Sequence, residues 1–289
     1  MQILSEIFSF YFLLSLLRGA TPLIFASMAG LFSERSGLVQ IGLEGMMLMG
    51  ALFAAAGALA THSPWMGFIL GGGAGLIAAA IYGFFAIELK SDQVVTGTAL
   101  NLLAIGFAPF VTKILYDSTG STPGLDLSSR FSFEPILIAL LVSGVIYYLY
   151  HRSQLGIVLQ FCGEEPAAVE TAGYSVRSWR WIFILVCGFL AGLGGASLSL
   201  FLASSYSPMM TAGRGFIALA ALIFGKWKPL PTLMACLFFA TIEAIQIRLQ
   251  GVDTGIPVPW MQALPYVITI VALAGFFGRS QAPKALGKI

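Results

Sequence analysis

Gln160-Phe161-Cys162-Gly163-Glu164-Glu165-Pro166-Ala167-Ala168-Val169-Glu170-Thr171-Ala172-Gly173 is a short polar stretch set between long apolar runs. Pro166 stands where a first helical residue belongs, and Gly173 where a helix stops. Glu164 and Glu165 precede that helix, at the end where its dipole favours negative charge. The stretch predicts a capped helix inside a loop, a handle offered to something in the water. Around it the chain is 58% hydrophobic and only 10% charged, with a mean hydropathy of +0.89. A soluble domain carries roughly 25% charged residues. Several runs reach the roughly 20 residues that cross a bilayer as a helix. They lack the alternation of a membrane barrel, and open strands would leave backbone groups unsatisfied in lipid. The expected fold is an all-α, polytopic transmembrane helical bundle forming a single domain over residues 1–289.

Apolar runs fall at about 7–31, 45–60, 66–88, 93–116, 135–150, 182–203, 230–248 and 263–278, about eight full spans. The first has no basic leader or cleavage signal and reads as a retained span. A further run, 215–225, is too short to cross and predicts a half-helix, which membranes tolerate only inside protein or along a cavity. If the loop 151–181 is cytoplasmic, the inner side holds Arg35, Lys90, Arg152, Arg177, Arg180, Lys226, Lys228, Arg279, Lys284 and Lys288, ten of the fifteen basic residues. That bias sets the N-terminus outside and the C-terminus inside. Segments 117–134 and 250–262 are then external loops.

The polar interruptions carry the chemistry. Glu34 to Met47 breaks two apolar runs, with three glycines in the segment and four polar or charged residues before Glu44. Glu44 either serves function at membrane depth or favours the N-terminus of the second span through its dipole. Ser91 to Asn101 opens the fourth span, and Gln93, Gly97 and Asn101 share one helical face. With Thr98, that face suits either hydrogen bonding to a polar solute or contact between helices. At the half-helix, the N-terminus would aim positive dipole and free N–H groups into the protein, with Arg214 as a donor and Phe216 as a stacking face. Arg18 and Glu243 are charges inside spans, and Arg18 could pair with Glu243 or with Glu44. The glycines at 71–75 and 188–195 predict close helix packing.

Other classes are excluded or unsupported. A net charge of +2 gives no footing for nucleic acid. Cys162, Cys187 and Cys236 have no metal-ligand spacing and read as core residues. Gly225-Lys226 lacks the companions of a phosphate loop, and no catalytic or metal constellation stands out, so no ATPase apparatus is expected within the chain.

Segments 34–47, 91–104, 160–173 and 213–229 together resemble the membrane permeases of ATP-binding-cassette importers, in the branched-chain amino acid and simple-sugar permease superfamily. The closest resemblance is to nucleoside-type permeases that work with a basic-membrane-protein-like lipoprotein. The resemblance implies a type II importer fold in the cell membrane. It also implies a second permease, often an unlike one, a cytoplasmic ATPase that hydrolyses ATP, and an external substrate-binding lipoprotein. No cofactor is expected on this chain itself. Gly163, Glu164, Glu165, Pro166, Ala168 and Gly173 resemble the helix that couples permease to ATPase. Gln40, Glu44, Thr98, Asn101, Arg214 and Phe216 are the expected solute pathway, with Gln40 standing where such permeases commonly have Asn. The wording around Asp92-Gln93-Val94-Val95 resembles the shorter of two paired permeases, and the resemblance implies a start one span later than in ribose-type relatives. Simple sugars, riboflavin and other small polar solutes are alternative cargoes. An ion-coupled secondary transporter using Glu44 and Glu243 is an alternative machine.

Overall fold

The computed structural model describes residues 10–118, 120–250, 260, 267, 268, 270 and 281–288. Every regular element among them is helical. In chain order these are α1 (Phe10–Arg35), α2 (Leu43–Thr61), α3 (Pro64–Gly83), α4 (Gln93–Tyr116), α5 (Glu134–Arg152), α6 (Gln154–Glu164), α7 (Pro166–Thr171), α8 (Val176–Ser197), α9 (Arg214–Phe224) and α10 (Pro229–Gln250). Wider π-type turns extend α3 through Glu88 and α8 through Leu202. Among the described residues, seven helical stretches are long and apolar enough to cross a membrane, and α9 is a shorter apolar helix. The expected eighth run, 263–278, lies outside the described residues, except that 267, 268 and 270 are helical.

The centre of the bundle is a seam of α2, α3 and α8 in which small residues let backbones touch. A methyl group on Gly192 would overlap the Gly71 carbonyl, and one on Gly195 the Met47 carbonyl. Helices this close gain van der Waals contact that larger side chains would forbid, which is how helices associate where lipid offers no hydrophobic drive. The glycine clusters are therefore spent on packing, as expected. Gly73 alone among those of α3 meets nothing within 4 Å.

α1 lies against α8 on one side and against α9 and α10 on the other. The last turn of α8 and the residues just after it hand free carbonyls to tertiary partners. Leu200 O accepts from Phe131 N at 3.1 Å, Ser204 O from Leu125 N at 2.7 Å, and Phe201 O from Arg18 at 3.0 Å. Helix ends inside a membrane protein need such partners, because lipid supplies none.

Candidate functional site

The predicted loop helix is present as two helices rather than one. Ser153 caps α6, its hydroxyl accepting from Gly156 N at 3.2 Å. Glu165 then leaves the helical region at φ −146, and Pro166 restarts the chain as α7. Gly173 stops it at φ +87, a left-handed turn with open space where a side chain would stand. Val169 is the buried anchor of α7, while Glu165, Ala167, Ala168, Glu170, Thr171 and Gly173 are exposed and Pro166 is part-exposed.

Two residues expected on this outer surface are engaged by the rest of the bundle instead. Glu164 ends α6 and pairs with Arg35 at 2.9 Å instead of favouring the N-terminus of α7. Glu165 makes no capping bond either. Gly163 packs against the Arg35 carbonyl, and its own carbonyl accepts from Ala285 N at 2.8 Å. Burial pushes the neighbouring Cys162 thiol up to about 11, only partly offset by the Arg180 guanidinium.

The polar face of α4 is a clamp on the segment between α1 and α2. Gln93 Oε1 accepts from Val39 N at 2.6 Å. Asn101 accepts from Gly45 N at 2.8 Å and donates to Ile41 O at 3.0 Å. Tyr82 donates its hydroxyl to Val39 O. Between the two contact alternatives for this face, helix-to-segment contact takes Gln93 and Asn101. Thr98 is exposed and bonds carbonyls of its own helix. Gln40 is fully buried beside the sulfurs of Cys187 and Met46, and its Oε1 has no partner among the described residues.

The half-helix α9 is gripped at both ends. Its leading N–H groups are not free, as expected from sequence, but taken by Glu44. Gly213 N donates to Glu44 Oε1 at 2.8 Å, and Gly215 N to Oε2 at 2.7 Å. A carboxylate on two N–H groups at a helix N-terminus combines charge-assisted bonding with the dipole. Both readings of Glu44 thus meet in one contact, although the dipole it serves is that of α9 rather than of the second span. Arg214, between those two residues, pairs with Glu243 of α10. Neither expected Arg18 pair forms: Arg18 instead donates to Phe201 O at 3.0 Å and sits 4.7 Å over the Phe201 ring. At the far end, Trp227 Nε1 donates to Glu34 at 2.6 Å, and Trp227 O accepts from Arg35 Nε at 3.0 Å. Phe216 is exposed and lies outside the polar cavity described next.

That cavity, about 360 Å³, is a half-open cleft lined by α1, α9, α10 and the end of α8, with Arg18, Arg214 and Glu243 in its wall. A larger cavity of about 930 Å³ lies between α2, α3 and α4 and is lined almost wholly by apolar side chains. Of the sequence-predicted pathway residues, Glu44 and Arg214 meet at α9, Gln40 and Asn101 meet at the 36–45 segment, and Thr98 and Phe216 stand apart. The Glu34–Trp227 and Arg35–Glu164 contacts were beyond sequence reasoning. Their only sequence signal is an acidic-basic pair closing the first apolar run.

A bundle of apolar spans, with a buried half-helix and an exposed short helix at one end, defines a multi-pass transport subunit of the cell membrane. The family described as the branched-chain amino acid transport system permease component matches residues 12–273, and the chain belongs to that family of ABC transporter permeases. The guanosine ABC transporter permease protein NupQ of Bacillus subtilis (strain 168) is 34% identical over 294 residues, covering 93% of this chain and 92% of its own length. The nucleoside ABC transporter permease protein NupC of Lactococcus lactis subsp. cremoris (strain MG1363) is 32% identical over the same shares of both chains. The glucose ABC transporter permease protein TsgB13 of Haloferax volcanii is 24% identical over 293 residues, covering 90% of this chain and 76% of its own. In fold the chain is similar to a solved metal-chelate type ABC transporter in an inward-facing conformation, with a TM-score of 0.50 at 15% identity, covering 91% of this chain and 84% of that one.

Proposed function

We infer that this chain is a permease of an ATP-driven importer of nucleosides. The observation that carries the reading is similarity over 93% of the chain to permeases named for guanosine and nucleosides. In this reading a second permease completes the translocation path. A cytoplasmic ATPase docks on α7 and hydrolyses ATP, and an external lipoprotein delivers the solute. The chain binds no cofactor and has no ATPase site of its own. Its one transmembrane domain includes the cytoplasmic loop 151–181. ATP-driven closure of the ATPase pair pulls α7 and shifts the spans between outward-open and inward-open populations.

The surface of α7 suits that role. It is a single turn-and-a-half of small and acidic residues held by one buried valine, so a partner groove meets little side-chain bulk. An ion-coupled mechanism is less well supported, because both of its candidate carboxylates are engaged: Glu44 by two N–H groups and Glu243 by Arg214. The similarity to a glucose permease favours simple sugars as the second reading of cargo.

Uptake of a labelled nucleoside in cells carrying the whole transporter, with and without this chain, tests the assignment. Unlabelled nucleosides, ribose, glucose and riboflavin serve as competitors. Loss of uptake without the chain, with competition by nucleosides alone, is the expected result. Competition by glucose would move the assignment to sugars. Unchanged uptake without the chain would overturn it. Glu165→Ala and Gly173→Ala are expected to leave ATP hydrolysis running while uptake falls at least tenfold. Full coupled transport in both would remove α7 from the coupling role.

A further inference from the structure

We propose that the cavity between α1, α9 and α10 is a solute site that recognises vicinal hydroxyl groups through Glu243. The proposal rests on the nucleoside reading above and assigns the ribose as the part of the solute that this chain reads.

Three observations build the site. First, the cavity holds about 360 Å³, the small end of the roughly 300–1,000 Å³ that small-molecule sites occupy. It suits a solute of nucleoside size. Second, its polar groups are not saturated by the protein. Glu243 gives Oε1 to Arg214, while Oε2 accepts no hydrogen bond among the described residues. Arg214 Nε is buried and also without a partner among them. Third, Gly19 leaves room beside the free oxygen. A methyl group there would lie 4.0 Å from Glu243 Oε2 and no closer to any other atom of the described residues beyond α1, so the α1 wall stands back from the carboxylate.

The chemistry follows from these atoms. A carboxylate oxygen with unused lone pairs takes hydroxyl or N–H donors and rejects other acceptors. Two hydroxyls on neighbouring carbons can share one carboxylate, as ribose hydroxyls do with acidic residues elsewhere. Arg18, fixed over the Phe201 ring and on its carbonyl, adds a cation to the same wall. Ser15, one turn before Gly19, adds a hydroxyl. Two cations and one anion disfavour a cationic solute, and the carboxylate disfavours an anion approaching Glu243. A neutral polyhydroxylated solute meets neither penalty. The site lies about 25 Å along α1 from Arg35, at the end of the bundle away from α7. That is the end at which a delivered solute would enter.

The decisive measurement is competition of labelled ribonucleoside uptake by the same nucleoside and by its 2′,3′-dideoxy analogue, in cells carrying the complete transporter. The external receptor is identical in every strain, so a change in the preference ratio belongs to this chain. Removing a hydrogen bond to a charged group typically changes affinity by about tenfold or more. Glu243→Gln is expected to lower the ribo-over-dideoxy preference by at least about that factor.

The double exchange Arg214→Glu with Glu243→Arg separates recognition from structure. It is expected to restore the amount of transporter in the membrane, because an ion pair is re-formed, while the ribo preference stays low. Recovery of the wild-type preference in the exchange would overturn the proposal, as would an unchanged ratio in Glu243→Gln. Should neither variant accumulate, Gly19→Ser, which narrows the space beside Oε2, is expected to raise KM about tenfold and more than it lowers the maximal rate. An unchanged KM there would equally overturn it. Absence of nucleoside uptake in the wild type would instead reject the parent reading, so the two failures are distinguishable.

Discussion

The α2–α3–α8 seam and the α1–α9–α10 junction are built by opposite means. In the seam, glycine backbones lie against one another with no room for a methyl group. Contact is broad and non-directional, so any displacement loses many small attractions together. In the junction, a few directional bonds hold an 11-residue half-helix, and a polar cavity lies beside it. Glu44 grips one end of α9 and the Glu34–Arg35 pair grips the other. Directional bonds can exchange partners at small cost, whereas a close-packed seam has one arrangement. The difference teaches where a transporter of this build can move. The seam has the build of a fixed frame, and α9, about 16 Å long, runs between the cavity and the Glu34–Arg35 end.

Breaking the seam should have the largest effect. Gly192→Leu forces apart α3 and α8, and overpacking of this kind costs about 3 kcal/mol or more when backbone stands in the way. Folded yield in membranes and Tm in detergent should both collapse. A Tm within a few degrees of wild type would show that the seam is looser than its contacts suggest.

Removing the grip on α9 should come next. Glu44→Ala strands two part-buried N–H groups and is expected to cost about 2 kcal/mol. Glu44→Gln keeps an acceptor oxygen for one of the two N–H groups but sets an NH2 donor against the other, and should recover about half of that. Equal Tm values for Ala and Gln would mean that the carboxylate holds nothing there.

Arg35→Lys sharpens the comparison at the other end of α9. Lysine keeps the charge but cannot reach Glu164 and the Trp227 carbonyl together, since it lacks the planar fork. The expected loss of stability is small, about 1 kcal/mol or less for a pair that is partly solvent-screened. Nucleoside-stimulated ATP hydrolysis should nevertheless fall several-fold. Full stimulation would show that α9 and α6 do not communicate through Arg35.

The smallest effect concerns Cys162. Burial raises its thiol to about 11, so the reactive thiolate appears only as pH rises toward that value. Maleimide labelling at pH 8 should be slower by about a hundredfold than at an exposed engineered cysteine on Ala168. Rapid labelling of Cys162 would mean that α6 opens away from Gly37 and the 281–288 segment.

Composition and run length alone determined that this is an all-helical membrane protein, because backbone groups in lipid must be satisfied within the chain. Pro166 and Gly173 marked α7 correctly, since proline and glycine act through local dihedral limits that need no tertiary partner. The short run before Lys226 marked a half-helix for a similar reason: its length is a local property. Partner choice is not local. Sequence offered Arg18 to Glu243 or Glu44. The fold instead paired Arg214 with Glu243 and put Glu44 on the N-terminus of α9, joining residues about 170 positions apart. Polar residues of α4 read either as solute ligands or as packing contacts, because an amide offers the same donors and acceptors to both. Only the approach of the 36–45 segment decided that Gln93 and Asn101 are engaged there, and only the space left by Gly19 beside Glu243 revealed where a hydroxylated solute has room.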